Sequence, residues 1–326
     1  MRIDSEVEFL RFRFPFRIAH GTRLGTDVVF VKLTYDGNMG FGEATLPPYL
    51  GTTVDDVLRA IQRPGISEAL QLDSPIEWHA ALFQIIPDVM PALAALDMAR
   101  WQLETKLKRK SFDALMDGEI QIKSVPHTYT LGVSEMPEMR QKIAFAELQG
   151  FTLFKLKLDG IADADVIRNF RSTCNKPFAV DVNQAWRSVE QAMPIVELLE
   201  ESNCILLEQP FHKLDREFSF ELASRTHIPI IADEACQRLD DLQEIVQAFD
   251  GVNVKLQKCG GVTPACEQLK QIGAAQKKSL IGCMSESSVG CNAAEQLTYL
   301  CDWADLDGPY LNDNNDSICR QIGYSL

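Results

Sequence analysis

Beyond about residue 125 the chain alternates between two hydrophobic rhythms. Short β-branched or aliphatic runs stand at SVPHTYTL (124–131), FTLFKLKL (151–158), KPFAVDV (176–182), NCILLEQ (203–209), HIPIIAD (227–233), GVNVKL (251–256) and KSLIGCM (278–284). A weaker eighth run is YLCDWADL (299–306). They recur roughly every 25 residues, and between them lie helical patterns such as SVEQAMPIVELLEES and LDDLQEIVQAFD. Strand and helix in alternation at this spacing predict parallel βαβ units. Seven or eight in series predict a closed α/β barrel of the TIM type.

The first 120 residues carry a different pattern. RFRFPFRIAHGTRLGTDVVFVKLTYDGNMGFGEA reads as strands, with a hairpin at YDGN because Asp-Gly suits a tight turn. Two helical stretches follow, one of them PALAALDMARWQLETKLKRK. The expected organisation is an α+β capping domain over residues 1–120 and a barrel over 121–306. The tail, about 307–326, is too short for a domain of its own and is expected to pack back on the first one.

Composition narrows the function classes. A hydrophobic share of 46% and a charged share of 24% suit a soluble globular protein. No run is long enough to cross a membrane, and MRIDSEVEFLRF lacks a signal-peptide core. Nine cysteines without CxxC or Cys/His spacing point to reduced thiols, small core residues and a cytoplasmic location. A net charge of −14 argues against nucleic acid. A homo-oligomer is compatible with all of this.

FTLFKLKL departs from the pattern. Lys155 and Lys157 are two apart in an apolar strand, so both emerge on one face. Burying an unpaired cation is costly. The other polar residues of the barrel runs fall at their C-terminal ends: Asp181 and Asn183 in DVNQ, Glu208 in LLEQP, Asp233 and Glu234 in IIADEA, and Lys255 in VNVKL. Those ends form the mouth of an α/β barrel, where its chemistry sits. A single acid there is more often a cap or loop residue. Three on successive strands, between lysine-bearing strands, predict a site.

Asp181, Glu208 and Asp233 are hard oxygen donors that leave room for water and a substrate oxygen, which suits Mg²⁺. No histidine joins the set. Lys157 and Lys255 then stand on opposite sides of the metal, and both the ion and Lys155 disfavour a protonated Lys157. A substrate carboxylate at such a site can lose its α-proton to one lysine, giving an enediolate, and regain a proton from the other with inversion.

Taken together, KxK (155–157), the acid of DVN (181), EQP (208–210), DE (233–234) and KLxKxGG (255–261) resemble the muconate-lactonizing-enzyme subgroup of the enolase superfamily. A lysine base beside Mg²⁺ is known from sites of that superfamily. The resemblance covers nearly the whole chain, with PPYLGTT as a mouth loop, and implies an α+β capping domain on a (β/α)7β barrel. It implies Asp181, Glu208 and Asp233 as metal ligands, with Asn183 and Glu234 beside them. Lys157 and Lys255 match the acid/base pair, Lys155 is the auxiliary lysine, and Lys258 fits the strand end less well than Lys255.

ADLDGP (304–309) bears on the substrate. Asp305 and Asp307 face one site if the segment is extended, and paired carboxylates receive an ammonium group. This DxD resembles that of dipeptide epimerases, which invert the second residue's α-carbon in Ala-Glu or a related Ala-Xaa. The same resemblance gives Thr130, Cys283, Met284 and Ser285 as substrate contacts. Relatives selective for Ala-Glu carry an arginine in the first capping loop; Gly21 stands there, with Arg17, His20 and Arg23 nearby. The alternatives are an o-succinylbenzoate synthase or cycloisomerase of the same subgroup, neither with an ammonium substrate, and a catalytically silent barrel used for binding.

Overall fold

The computed structural model describes residues 1–18, 21–116 and 124–325. Its N-terminal part is a three-stranded antiparallel sheet of β1 (Arg2–Ile18), β2 (Gly21–Tyr35) and β3 (Asn38–Thr45), in that order. The β2–β3 hairpin turns at Asp36 and Gly37, whose φ angles of 47° and 73° are the left-handed pair that two-residue turns require. Along β2, Val29, Val31 and Leu33 enter the main core, while Val28 and Phe30 join a separate cluster. Helix Met90–Lys108 lies so close that a Cβ on Gly40 or Gly42 of β3 would come within 2.0 Å of its backbone.

Among the described residues, five α-helices follow the sheet where the pattern predicted two helical stretches: Val54–Ala60, Ile66–Ala69, Pro75–Ile85, Met90–Lys108 and Phe112–Met116. The three extra ones are seven residues or shorter, too short to display a 3.6-residue period. The tail returns to the sheet. Ile318, Cys319, Ile322 and Tyr324 pack on Leu10, Val28, Phe30 and Phe41. Asn314 accepts from Arg11 N and donates to Phe9 O, both at 2.9 Å.

Each of the eight barrel runs contains one parallel strand. They are β4 (Thr128–Leu131), β5 (Leu153–Lys157), β6 (Phe178–Asp181), β7 (Cys204–Glu208), β8 (Ile230–Ala232), β9 (Gly251–Lys255), β10 (Lys278–Gly282) and β11 (Trp303–Asp305), neighbours in chain order. A parallel bridge from His127 to Ala304, with Ala304 N donating to Pro126 O at 3.0 Å, closes the ring.

Strand alternation then sets the site. On β5, Phe154 and Leu156 join the outer core, where Phe154 meets Phe170 of a surrounding helix, and Lys155 and Lys157 face inward. Ala179, Leu206, Ile231 and Leu280 form a small separate apolar cluster inside the ring. Two residues further along, each of those strands leads to Asp181, Glu208, Asp233 and Gly282. The acids therefore sit one layer above an apolar plug. Among the described residues no helix is long and apolar enough to cross a membrane, and seven of the nine cysteines are buried.

Candidate active site

Asp181 ends β6, Glu208 ends β7 and Asp233 follows β8. One carboxylate oxygen from each lies within 4.8 Å of the others, and none of the three residues is more than 2% exposed. Local bonds hold them. Asn183 N donates to Asp181 Oδ1 at 2.9 Å, Asn253 Nδ2 to Glu208 Oε1 at 2.9 Å, and Asp233 N to Gln209 Oε1 at 2.9 Å.

The charge balance of this cluster is incomplete. Burial pushes Glu208 up to about 8, and Asp181 and Asp233 add to the rise against the pull of Lys155. Burial also pushes Asp233 up, but Lys255 and Lys258 outweigh it and hold the carboxyl well below the usual range. Asn183 Oδ1 and Glu234 Oε2 are buried without a hydrogen-bond partner among the described residues. Three convergent carboxylates, one short of compensating charge, with unpartnered oxygens alongside, fit a hydrated divalent cation.

The lysines of the KxK pattern are both buried and both paired. Lys155 Nζ lies 2.7 Å from Asp305 Oδ2, 2.8 Å from Glu208 Oε2 and 3.4 Å from Asp181 Oδ2. Lys157 Nζ donates to the same Asp181 oxygen at 2.5 Å. An isolated buried ion carries a penalty of several kcal/mol, so these pairings resolve the oddity of FTLFKLKL. Across the ring, Lys255 Nζ donates to Asp233 Oδ2 at 2.6 Å. Burial pulls Lys155 and Lys255 down, yet their acid partners hold both well above the ordinary lysine range.

Above the triad a cavity of about 550 Å³ opens at the barrel mouth. Thr130, Lys157, Asn183, Asp233, Glu234, Lys255, Cys283, Met284, Ser285, Asp305 and Asp307 line it from the barrel; Lys155, Asp181 and Glu208 lie outside that lining. The N-terminal part contributes Phe16, Arg23 and, from PPYLGTT, Pro47, Pro48 and Tyr49. The Tyr49 hydroxyl donates to Met284 Sδ at 2.9 Å.

Asp305 and Asp307 both reach the cavity, but not on one extended segment. β11 ends at Asp305, and Asp307 has helical angles (φ −85°, ψ 0°) at the start of helix Gly308–Leu311. Pro309 in the first turn favours that helix. The two acids also differ electrically. Burial raises Asp305, but Lys155, Lys157 and the Thr128 hydroxyl bring it down to about 2. Burial and the charge of Asp305 push Asp307 up to about 7. Asp307 Oδ2 accepts from Thr130 N at 2.5 Å, and its Oδ1 faces the weak Cys283 thiol at 4.0 Å. Among the described residues no ion pair neutralises it.

Two domain models cover most of the chain. Residues 138–307 match the enolase C-terminal domain-like model, and residues 5–117 match the N-terminal domain of the mandelate racemase / muconate lactonizing enzyme family. The chain belongs to the enolase superfamily. It is 33% identical over 310 residues to an L-Ala-D/L-Glu epimerase of Bacteroides thetaiotaomicron, across 94% of this chain and 79% of that protein. A dipeptide epimerase from Enterococcus faecalis complexed with Mg and L-Leu-L-Tyr superimposes with a TM-score of 0.86 at 27% identity, over 96% of this chain and 91% of the other. The N-succinyl Arg/Lys racemase from Bacillus cereus superimposes with a TM-score of 0.86 at 25% identity, over 97% and 89%.

Within this enolase-superfamily site the capping arginines separate. Arg23 lines the cavity, with its guanidinium 5.5 Å from the Phe12 ring centroid and no ion pair among the described residues. Arg17 is not among the lining residues and lies 3.7 Å from Glu138. His20 lies outside the described residues. Several further residues shape the site, some in the quoted motifs but with no role read from them there. Lys258 and Gln209 hold Asp233, and Asn253 holds Glu208. Glu43 of GFGEA is fully buried and accepts from Ser287 N and Gly290 N, both at 3.0 Å, tying β3 to helix Ser288–Glu295. Glu286 is buried and accepts from Met284 N, outside the cavity lining.

Proposed function

We propose that this protein is a Mg²⁺-dependent dipeptide epimerase that inverts the α-carbon of the C-terminal residue by 1,1-proton transfer. Lys157 and Lys255 on opposite sides of a buried carboxylate triad, beneath a cavity that also holds Asp307, an acid with no ion pair among the described residues, support this. Asp181, Glu208 and Asp233 would hold the cation. Bound there beside a substrate carboxylate, it supplies the positive charge that makes the adjacent C–H acidic.

The remaining work belongs to the chain. One lysine removes the α-proton, and the other delivers a proton to the opposite face. In the free protein Asp233 holds the Lys255 proton; a carboxylate engaged by a cation holds it less firmly. Lys155, which shares Asp181 with Lys157, links that base to the Asp305 side of the site. Asp307 receives the dipeptide ammonium, aided by Thr130, while Cys283, Met284 and Ser285 border the backbone. Asp305, already paired with Lys155, orders that end without binding the ammonium itself.

Arg23 is the one capping arginine among Arg17 and Arg23 that lines the cavity, so we assign it to the side chain of the second residue, favouring Glu. The epimerase and racemase relatives favour proton transfer over elimination or lactonisation, and a free acid at Asp307 favours a dipeptide over an N-acylated amino acid. Incubating a mixed dipeptide panel in D₂O and reading α-deuterium by mass spectrometry tests the proposal. Deuterium and both epimers are expected from Ala-Glu or related Ala-Xaa; incorporation only into N-acylated amino acids would overturn it.

A further inference from the structure

Lys258, the second lysine of KLQKCGG, is placed differently from Lys255. It sits in the short helix Leu256–Cys259, is 2% exposed and does not line the cavity. Its Nζ donates to Asp233 O at 2.8 Å, Asp233 Oδ1 at 2.8 Å and Asn253 O at 2.7 Å. An ammonium has three donors, and all three are used.

This arrangement divides the Asp233 carboxylate. Oδ1 belongs to Lys258, and Oδ2 is left on the side of Lys255. Glu208 is divided in a parallel way: Asn253 Nδ2 occupies Oε1, and Oε2 lies 2.8 Å from Lys155 Nζ. Asn253 has room for this because Gly282 is its neighbour; a Cβ there would stand 2.6 Å from Asn253 Oδ1. Since the Asn253 carbonyl also binds Lys258, two of the three carboxylates are oriented by one connected set of bonds.

We infer that Lys258 is a positioning residue for the cation site: it turns Asp233 so that Oδ2 is the ligating oxygen, and it takes no proton from substrate. The inference rests on the reading of the triad as a Mg²⁺ site. Two effects of Lys258 have opposite signs. Its charge repels a dication, whereas its three bonds hold a ligand in place. The direction in which Mg²⁺ affinity moves when it is replaced decides which effect governs.

Isothermal titration of the full chain with Mg²⁺ alone compares wild type with Lys258→Met. The expected dissociation constant rises about tenfold or more, the usual range for loss of a group that orients a ligand. The Mg²⁺-induced rise in Tm shrinks, and kcat returns toward wild type as Mg²⁺ is raised. Deuterium exchange from the two epimers falls equally at limiting Mg²⁺, which loss of a base on one face would not produce. Where Lys258→Met fails to fold, Lys258→Gln serves, with weaker Mg²⁺ binding and recovery at excess Mg²⁺ expected again. Affinity equal to or tighter than wild type in a folded variant overturns the inference alone. A wild-type protein that binds no Mg²⁺ overturns the metal reading with it.

Discussion

Lys157 on β5 and Lys255 on β9 stand four strands apart in a closed ring of eight, and so face each other across the barrel mouth. Their ammonium groups end on different acids of one triad, Asp181 and Asp233. A substrate α-carbon held over that triad would have a lysine on each face. Inversion needs that geometry, because a single base would return the proton to the side it left.

Removal of the metal should stop the reaction. A chelator is expected to abolish epimerisation and added Mg²⁺ to restore it. Asp181→Asn, Glu208→Gln and Asp233→Asn should each lower kcat/KM about 10³-fold, corresponding to about 4 kcal/mol of lost charge stabilisation. Full turnover in excess chelator would remove the metal from the account.

Among the described residues no ion pair neutralises Asp307, whose carboxyl is pushed up to about 7 by burial and Asp305, and a dipeptide ammonium would supply the missing counter-charge. Asp307→Asn should raise KM for free dipeptides about 10- to 100-fold, the equivalent of losing one charged hydrogen bond. N-acetyl dipeptides should be poor substrates of the wild type. Equal turnover of acetylated and free forms would rule out the ammonium receptor.

Arg23 should set side-chain preference. In Arg23→Met, kcat/KM for Ala-Glu is expected to fall about tenfold or more relative to Ala-Leu, since the acid side chain loses its charged partner. Competition assays with both dipeptides in one vessel read this ratio directly. An unchanged ratio would assign the acidic side chain to another residue.

Glu286 gives a stability signature away from the triad. Burial and the charge of Glu43 push its carboxyl up to about 8, against an ordinary value near 4.5. Its contribution to stability is fully present below the unfolded pKa and is lost as pH rises through the folded one. Wild-type Tm should therefore fall between pH about 5 and about 8, and Glu286→Gln should fall less over that window. Parallel curves for the two proteins would contradict the assignment.

The acids and lysines were legible because each interrupts or ends an apolar run, where strand periodicity leaves only one face for it. Asp307 was legible as a residue but not as a conformation: Gly308 and Pro309 begin a helix that the period-two reading could not register. Lys258 follows Lys255 by three residues, yet nothing in that spacing reveals that the chain turns through a short helix and brings its ammonium back to Asp233. Arg23 and Tyr49 join the cavity only once the N-terminal sheet docks on the barrel, a contact between segments far apart in sequence. Gln209 and Gln184 carry positive φ values of 38° and 67°, a backbone feature that side-chain patterning does not encode.

Whether two lysines serve two faces is read from deuterium exchange of each pure epimer in D₂O. Lys157→Ala should lose α-exchange from one epimer while slow exchange from the other continues through Lys255. Lys255→Ala should show the reverse pattern. Both should lose net epimerisation, and Lys155→Ala should retain some exchange with its pH optimum displaced. If Lys157→Ala and Lys255→Ala lose exchange from the same epimer and keep it from the other, the two-face account is wrong.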